Sequence, residues 1–282
     1  MMRVRIITDS TADMTPASRQ RVTAVPLTIF FGQEEYADGV TITQKEFYEK
    51  LMSSDTLPTT SQPSPSLFED VYAEAAAVGD SVVVITISSG ISGTYQSACI
   101  AAAEYDNVFV VDSQNAAIAA GILAERALQL ADSGMTAKEI AETLEVDKEH
   151  LRLFAVLDTL EYLKKGGRIS GTVAFVGGML SIKPMITLAD GKVAVIAKPR
   201  GTKQAHRTMM AEIEKAGGID RSKPIMLGYT GLNDEALQNF IAESESLWAD
   251  LPHPLPQAMI CSVIGTHVGP GAMAVAFFSN AQ

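Results

Sequence analysis

Residues 82–87, Val-Val-Val-Ile-Thr-Ile, are an almost unbroken run of β-branched side chains with no alternation of polar and apolar positions. Such a run fits a strand covered on both faces, as at the centre of a parallel sheet. It passes directly into Ser88-Ser89-Gly90-Ile91-Ser92-Gly93-Thr94 and then into residues 95–103, which read as a helix. Strand, glycine-rich turn and helix in this order place the segment in an α/β layer structure. The turn then lies at the carboxyl edge of the sheet, where open sheets of this kind take ligands. Several backbone N–H groups and the positive end of a helix dipole converge there, which favours an anion.

By itself the turn leaves four readings open. It can cradle a phosphate, although it lacks a P-loop lysine and the G-x-G-x-x-G spacing. It can present a nucleophilic serine, although Ser-Gly-Ile-Ser-Gly is not the Gly-x-Ser-x-Gly elbow and needs a base within reach. It can bind a carboxylate through the Ser92 hydroxyl and the N–H groups of Gly93 and Thr94. It can also be a tight connection in which Ser92 or Thr94 caps the helix.

Upstream, residues 4–8 read as a strand ending in Asp9-Ser10-Thr11-Ala12-Asp13, and residues 25–31 as a second strand. Thr43 followed by Glu46 fits a capping box. Pro58, Pro63 and Pro65 hold the next stretch extended, after which Phe68, Val71, Tyr72 and Ala75 recur at helical spacing. Residues 108–111 read as a strand ending at Asp112, residues 116–130 as a small-residue helix, and Thr136 with Glu139 opens another helix. This alternation predicts an α/β fold whose N-terminal part is a mostly parallel sheet sandwiched by helices.

After about residue 150 the texture changes. Residues 185–188 and 193–197 flank Asp190-Gly191, a hairpin signal. A helix over 204–216, a strand over 224–229, a helix over 234–248 and strands over 258–263 and 272–278 follow. These predict a C-terminal α+β part with antiparallel pairing. The expected organisation is an N-terminal α/β domain over 1–150 and a C-terminal α+β domain over 151–282.

Charge and composition narrow the function. A formal net charge of −11 over 282 residues argues against nonspecific nucleic-acid binding and against docking on anionic membrane surfaces. No apolar stretch approaches the roughly 18 residues of a spanning helix, so no stable membrane insertion is expected. The N-terminus lacks the apolar core of a signal peptide. Cys99 and Cys261 stand far apart and outside metal-ligand spacing, as reduced thiols of a cytoplasmic protein would.

Three further clusters bear on chemistry. Thr59-Thr60-Ser61-Gln62-Pro63 puts four hydrogen-bonding side chains on a backbone preset by proline, as a binding loop requires. In Ile264-Gly265-Thr266-His267-Val268-Gly269-Pro270-Gly271, His267 is bracketed by glycines and reads as lying between two apolar strands. The other histidines, His150, His206 and His253, lie in settings expected to be exposed, and none of them, nor any Cys or carboxylate, has ligand spacing to His267. Lys164-Lys165-Gly166-Gly167-Arg168 and Lys198-Pro199-Arg200-Gly201-Thr202-Lys203 are basic islands in an acidic chain, either solvated faces or a docking patch for an acidic or phosphorylated partner.

Taken together, these stretches resemble the DegV family of bacterial fatty-acid-binding proteins. The resemblance covers essentially the whole chain. It adds Thr8 through Asp13, Tyr36-Ala37-Asp38-Gly39-Val40, the run from Asp158 to Ser170 and Ile182-Lys183-Pro184 to the clusters above. It implies a long-chain fatty acid, such as palmitate, in a buried tunnel, with its carboxylate held by Thr60, Ser92 and His267. Ser61, Gly93 and Thr94 complete the expected head-group set. It also implies a carrier with no catalysis, metal or cofactor of its own. Some members of the family are the lipid-binding subunit of a fatty acid kinase, whose ATP-dependent partner phosphorylates the bound carboxylate. For such a partner Lys164, Lys165, Arg168, Arg200 and Lys203 are the expected docking residues. Two other classes stay open beside this one: a serine hydrolase using Ser92 and His267, and a phosphosugar-binding protein built on the glycine turn.

Overall fold

The computed structural model describes residues 3–169 and 181–280; Ser170, the last residue of one stretch quoted above, lies outside them. In chain order, β1 (Val4–Asp9), α1 (Pro16–Arg19) and β2 (Thr23–Val25) come first, then β3 (Thr28–Phe31) and β4 (Glu34–Ala37). Next are α2 (Gln44–Ser53), β5 (Thr59–Ser61), α3 (Pro65–Ala77), β6 (Ser81–Thr86), α4 (Thr94–Ala102) and β7 (Val108–Asp112). Helices α5 (Ala117–Asp132) and α6 (Ala137–Asp147) lead into β8 (Leu151–Val156), α7 (Glu161–Lys165), β9 (Met185–Ala189) and β10 (Lys192–Ala197). The chain ends with α8 (Thr202–Lys215), β11 (Met226–Tyr229), α9 (Glu235–Glu243), α10 (Glu245–Trp248), β12 (Gln257–Met259), α11 (Ser262–Val268) and β13 (Met273–Phe278).

The N-terminal sheet is parallel, in the order β2-β1-β6-β7. Every residue of β6 is buried, as its unbroken apolar run requires. Val82 and Val84 pack with Phe68, Tyr72 and Ala98 of α3 and α4. Val83 and Ile85 join the cluster that holds Ile118 and Ile122 of α5 and Ile140 of α6. The expected capping box forms between Thr43 and Glu46, and Thr136, expected only to start a helix, forms a second one with Glu139. The C-terminal sheet runs β10-β9-β8-β13-β11-β12 and is antiparallel except for the β11–β12 pair. Asp190 and Gly191 both take positive φ at the β9–β10 turn, as a two-residue hairpin with an Asp-Gly tip demands. Helix α5 packs against β1 and β6 on one side and against β8, β11 and β13 on the other.

Four local expectations change. The single strand over 25–31 divides at Pro26-Leu27: β2 stays in the parallel sheet, whereas β3 enters a small antiparallel sheet, β4-β3-β5. The helix over 234–248 breaks at Ser244, whose hydroxyl donates to the Phe240 carbonyl and accepts from Trp248 Nε1. His206 is buried, not exposed, with Nδ1 2.8 Å from Glu243 Oε2 and its ring edge-on to Phe240. The strand over 258–263 ends at Met259, and the chain coils into α11, which carries His267.

Local propensity opposes that last helix, since Val263, Ile264 and Thr266 are β-branched and Gly265 is a poor helix former. Distant carboxylates compensate. Asp13 accepts the N–H of Cys261 at 2.9 Å and Asp38 accepts that of Ser262 at 3.3 Å, so orphan donors at the helix start are satisfied from the N-terminal half. Gly265 lets the helix lie close to α2, since a Cβ there would stand 2.6 Å from Tyr48 Oη.

Candidate functional site

The glycine turn divides its residues between two tasks. Ser88 donates its hydroxyl to the Gly191 carbonyl at 2.7 Å, and a Cβ at Gly90 would lie 2.5 Å from that same oxygen. The first half of the turn therefore seats the tip of the β9–β10 hairpin. The second half, Ser92 and Gly93, lines a cavity. Gly93 is the cap residue of α4 and supplies no side-chain bond, while the Thr94 N–H donates to Ser92 Oγ at 3.4 Å. Thr94 is fully buried behind Ser92, with the two hydroxyl oxygens 2.8 Å apart.

The Thr59–Ser61 strand is brought to this turn by its sheet and by Gln62. Thr60 pairs with Ile29 of β3. Gln62 Nε2 donates to Ser97 Oγ of α4 at 3.0 Å, and a side chain at Gly93 would overlap the Gln62 amide. From the far side α11 delivers His267, whose Nε2 is 2.9 Å from Thr60 Oγ1. Burial, and then the nearby charge of Arg168, push the imidazole down to about 4, so it is neutral at pH 7. Its Nδ1 is buried and has no hydrogen-bond partner. The ring packs where Gly166 has no side chain, since a Cβ there would overlap Nδ1.

Arg168 is the residue whose place the sequence did not indicate. Grouped by sequence with the docking cations, it lines the cavity beside Ser92 and His267. Its Nη1 donates to the Gly166 carbonyl at 2.7 Å and its Nε to the Ile91 carbonyl at 3.3 Å. Lys164, Lys165, Arg200 and Lys203 are exposed. The Gly-Gly-Arg segment gives no local sign of this difference; only the approach of α7 to the glycine turn separates Arg168 from its neighbours.

The cavity measures about 340 Å³, within the roughly 300–1,000 Å³ of small-molecule sites. Its polar wall is Thr60, Ser61, Gln62, Ser92, Arg168 and His267; the remainder is apolar or glycine. Ser61 and Gln62 are exposed and Ser92 and Arg168 half-buried, whereas Leu27, Ile87, Leu153, Ala155, Leu157 and Ala274 are buried. The most exposed part of the wall, Ser61 and Gln62, is thus polar. Such a shape suits a molecule with one anionic group and a long apolar body. Among the described residues no cluster of His, Cys, Asp or Glu has metal-binding geometry, and no hydrogen bond joins Ser92 to His267.

Behind the site stands a second buried polar group. Asp9, Asp13 and Asp38 are all pushed up, chiefly by burial, and at Asp9 and Asp13 repulsion from the neighbouring carboxylates adds to it. Asp9 accepts from Ile87 N at 2.6 Å, where β6 enters the glycine turn. Asp13 and Asp38 hold the start of α11. These carboxylates hold the two elements that carry Ser92 and His267; Asp9 and Asp13 lie at and just beyond the end of β1, and Asp38 follows β4.

Comparison with known proteins gives a consistent picture. The family model described as "Uncharacterised protein, DegV family" matches residues 3–280. A DegV domain-containing protein of Caldanaerobacter subterraneus is 35% identical over 281 residues, covering 98% of this chain and 99% of that one. The solved structure of a fatty-acid-binding DegV family protein from Thermus thermophilus is 34% identical, with a TM-score of 0.87 over 99% of this chain and 100% of that one. A stearic-acid-binding protein from Eubacterium ventriosum is 28% identical, with a TM-score of 0.85 over 99% of this chain and 98% of that one.

Proposed function

The chain belongs to the DegV family, and from that premise we propose that it binds a long-chain fatty acid such as palmitate and serves as a carrier without catalysis of its own. One observation carries the reading: Thr60, Ser61, Gln62, Ser92, Arg168 and His267 gather on one side of a cavity whose remaining walls are apolar or glycine. Burying a sixteen-carbon chain is worth about 0.8 kcal/mol per CH₂, on the order of 12 kcal/mol gross. Lost translational and rotational freedom takes back about 4–15 kcal/mol, so the tail alone leaves a modest surplus.

The head group sets the balance. A buried carboxylate without partners is costly. Arg168 supplies the positive charge; Ser92, Thr60 and the N–H groups at the start of α4 supply donors, each charge-assisted bond worth roughly 1.5–3 kcal/mol. His267 is neutral at pH 7 and acts as a hydrogen-bonding partner that orients Thr60.

A polar wall exposed at Ser61 and Gln62 also leaves the carboxylate within reach of a second protein. Lys164, Lys165, Arg200 and Lys203 form exposed positive ground for a kinase partner that would transfer the γ-phosphoryl group of ATP to the carboxylate oxygen, giving an acyl phosphate and ADP. Purified protein, denatured and extracted, is expected to release long-chain fatty acid detectable by mass spectrometry, and delipidated protein to bind palmitate saturably. No lipid in the extract together with no saturable binding rejects the proposal.

A further inference from the structure

The register of the C-terminal sheet arranges the cavity wall in rows. Ala155 of β8 stands opposite Ala274 of β13 and Ile186 of β9. Leu153, two residues along β8, pairs with Ala276, and on the other side Leu157 follows Val156, which pairs with Met273. Side chains two residues apart share a face, and each such step advances about 7 Å along the strand. Leu157, Ala155 and Leu153 all line the cavity, so it runs along β8 past these three rows.

The middle row is the unusual one. It carries alanine on both central strands, with Ile186 beside it. Towards β11 the same row continues to Gly228, but there the space is taken: Ile118 of α5 and Ile260 stand 3.1 Å from where a Gly228 Cβ would be. Over Ala155 and Ala274 the absence of side-chain volume opens into the cavity, which Ala272 also lines. His267, more than nine-tenths buried with an unpartnered Nδ1, lines the same space.

We propose that the Ala155–Ala274 pair sets the length of acyl chain the protein accepts, a role that rests on the fatty-acid reading above. A larger side chain at either position fills the middle row and divides the cavity between the Leu157 and Leu153 rows. The polar end is untouched, so a short acid still finds its head-group partners.

The test compares delipidated wild type with Ala274→Leu and the milder Ala155→Val, titrated with palmitate and decanoate by calorimetry, with thermal unfolding recorded for each. Ala274→Leu is expected to weaken palmitate by about tenfold or more and decanoate by less than about threefold, with Ala155→Val between it and wild type. Thermal stability is expected to hold or rise, because each substitution fills a void in the unliganded protein. A folded variant that keeps wild-type palmitate affinity, or loses both acids equally, overturns the proposal. If Ala274→Leu does not fold, the same criteria apply to Ala155→Val. Wild type that binds neither acid overturns the fatty-acid reading itself, and this role with it.

Discussion

The two faces of the C-terminal sheet share one backbone and one register, yet one face is closed and the other holds a cavity. On the outer face Phe154, Val156, Met273, Val275 and Phe277 interlock with Met209, Ile213, Leu237, Phe240 and Trp248. On the inner face stand Ala272, just before the last strand, then Ala274, Ala276 and finally Phe278 within it. From Met273 to Phe277 strand β13 thus reads large and small by turns, and Ala274 leaves volume that opens into the cavity. Backbone geometry makes the two faces equivalent; side-chain size makes one a core and the other a container.

The contrast can be broken from the outer side. Phe277→Ala removes a fully buried ring and is expected to cost about 3–5 kcal/mol in urea unfolding, while palmitate affinity of the folded protein stays within about threefold of wild type. Equal damage to stability and binding would show that the two faces are not independent.

Acidification probes the inner face. The His267 imidazole titrates at 6.5 when unperturbed and at about 4 in the fold. Between these values the unfolded chain takes up a proton that the folded chain refuses. Stability from this residue is therefore complete above pH 6.5 and falls as pH drops towards 4, by on the order of 3 kcal/mol. The difference in unfolding free energy between wild type and His267→Gln is expected to shift by about that amount from pH 7 to pH 4; a constant difference would place the imidazole in a solvated setting.

The smallest effect sharpens the division between head and tail. Ser92→Ala removes one donor and is expected to weaken palmitate about tenfold, with little change for hexadecanol, which lacks the charge. A matching loss for hexadecanol would assign Ser92 to the wall and not to the carboxylate.

Much of the fold was legible in the chain because it rests on local rules. The buried run over 82–87 announces a central strand, Asp190-Gly191 a hairpin, and Thr43 and Thr136 the starts of their helices. Thr60, Ser92 and His267 could each be singled out, since hydroxyls on stiff or glycine-rich segments and a glycine-flanked histidine stand out from their surroundings. Their meeting could not be read, because it depends on contacts across 207 residues of separation.

The sequence by itself determined which segments alternate, where polar groups gather at strand ends, and that antiparallel pairing takes over after about residue 150. Tertiary structure alone decided that 262–268 is a helix, that Ser88 and Gly90 seat a hairpin, and that Arg168 faces the cavity. The reason is the same in each case. Propensity is a matter of tenths of a kcal/mol per residue, and capping carboxylates, a close-packed glycine or a half-buried guanidinium outweigh it once distant parts of the chain are in place.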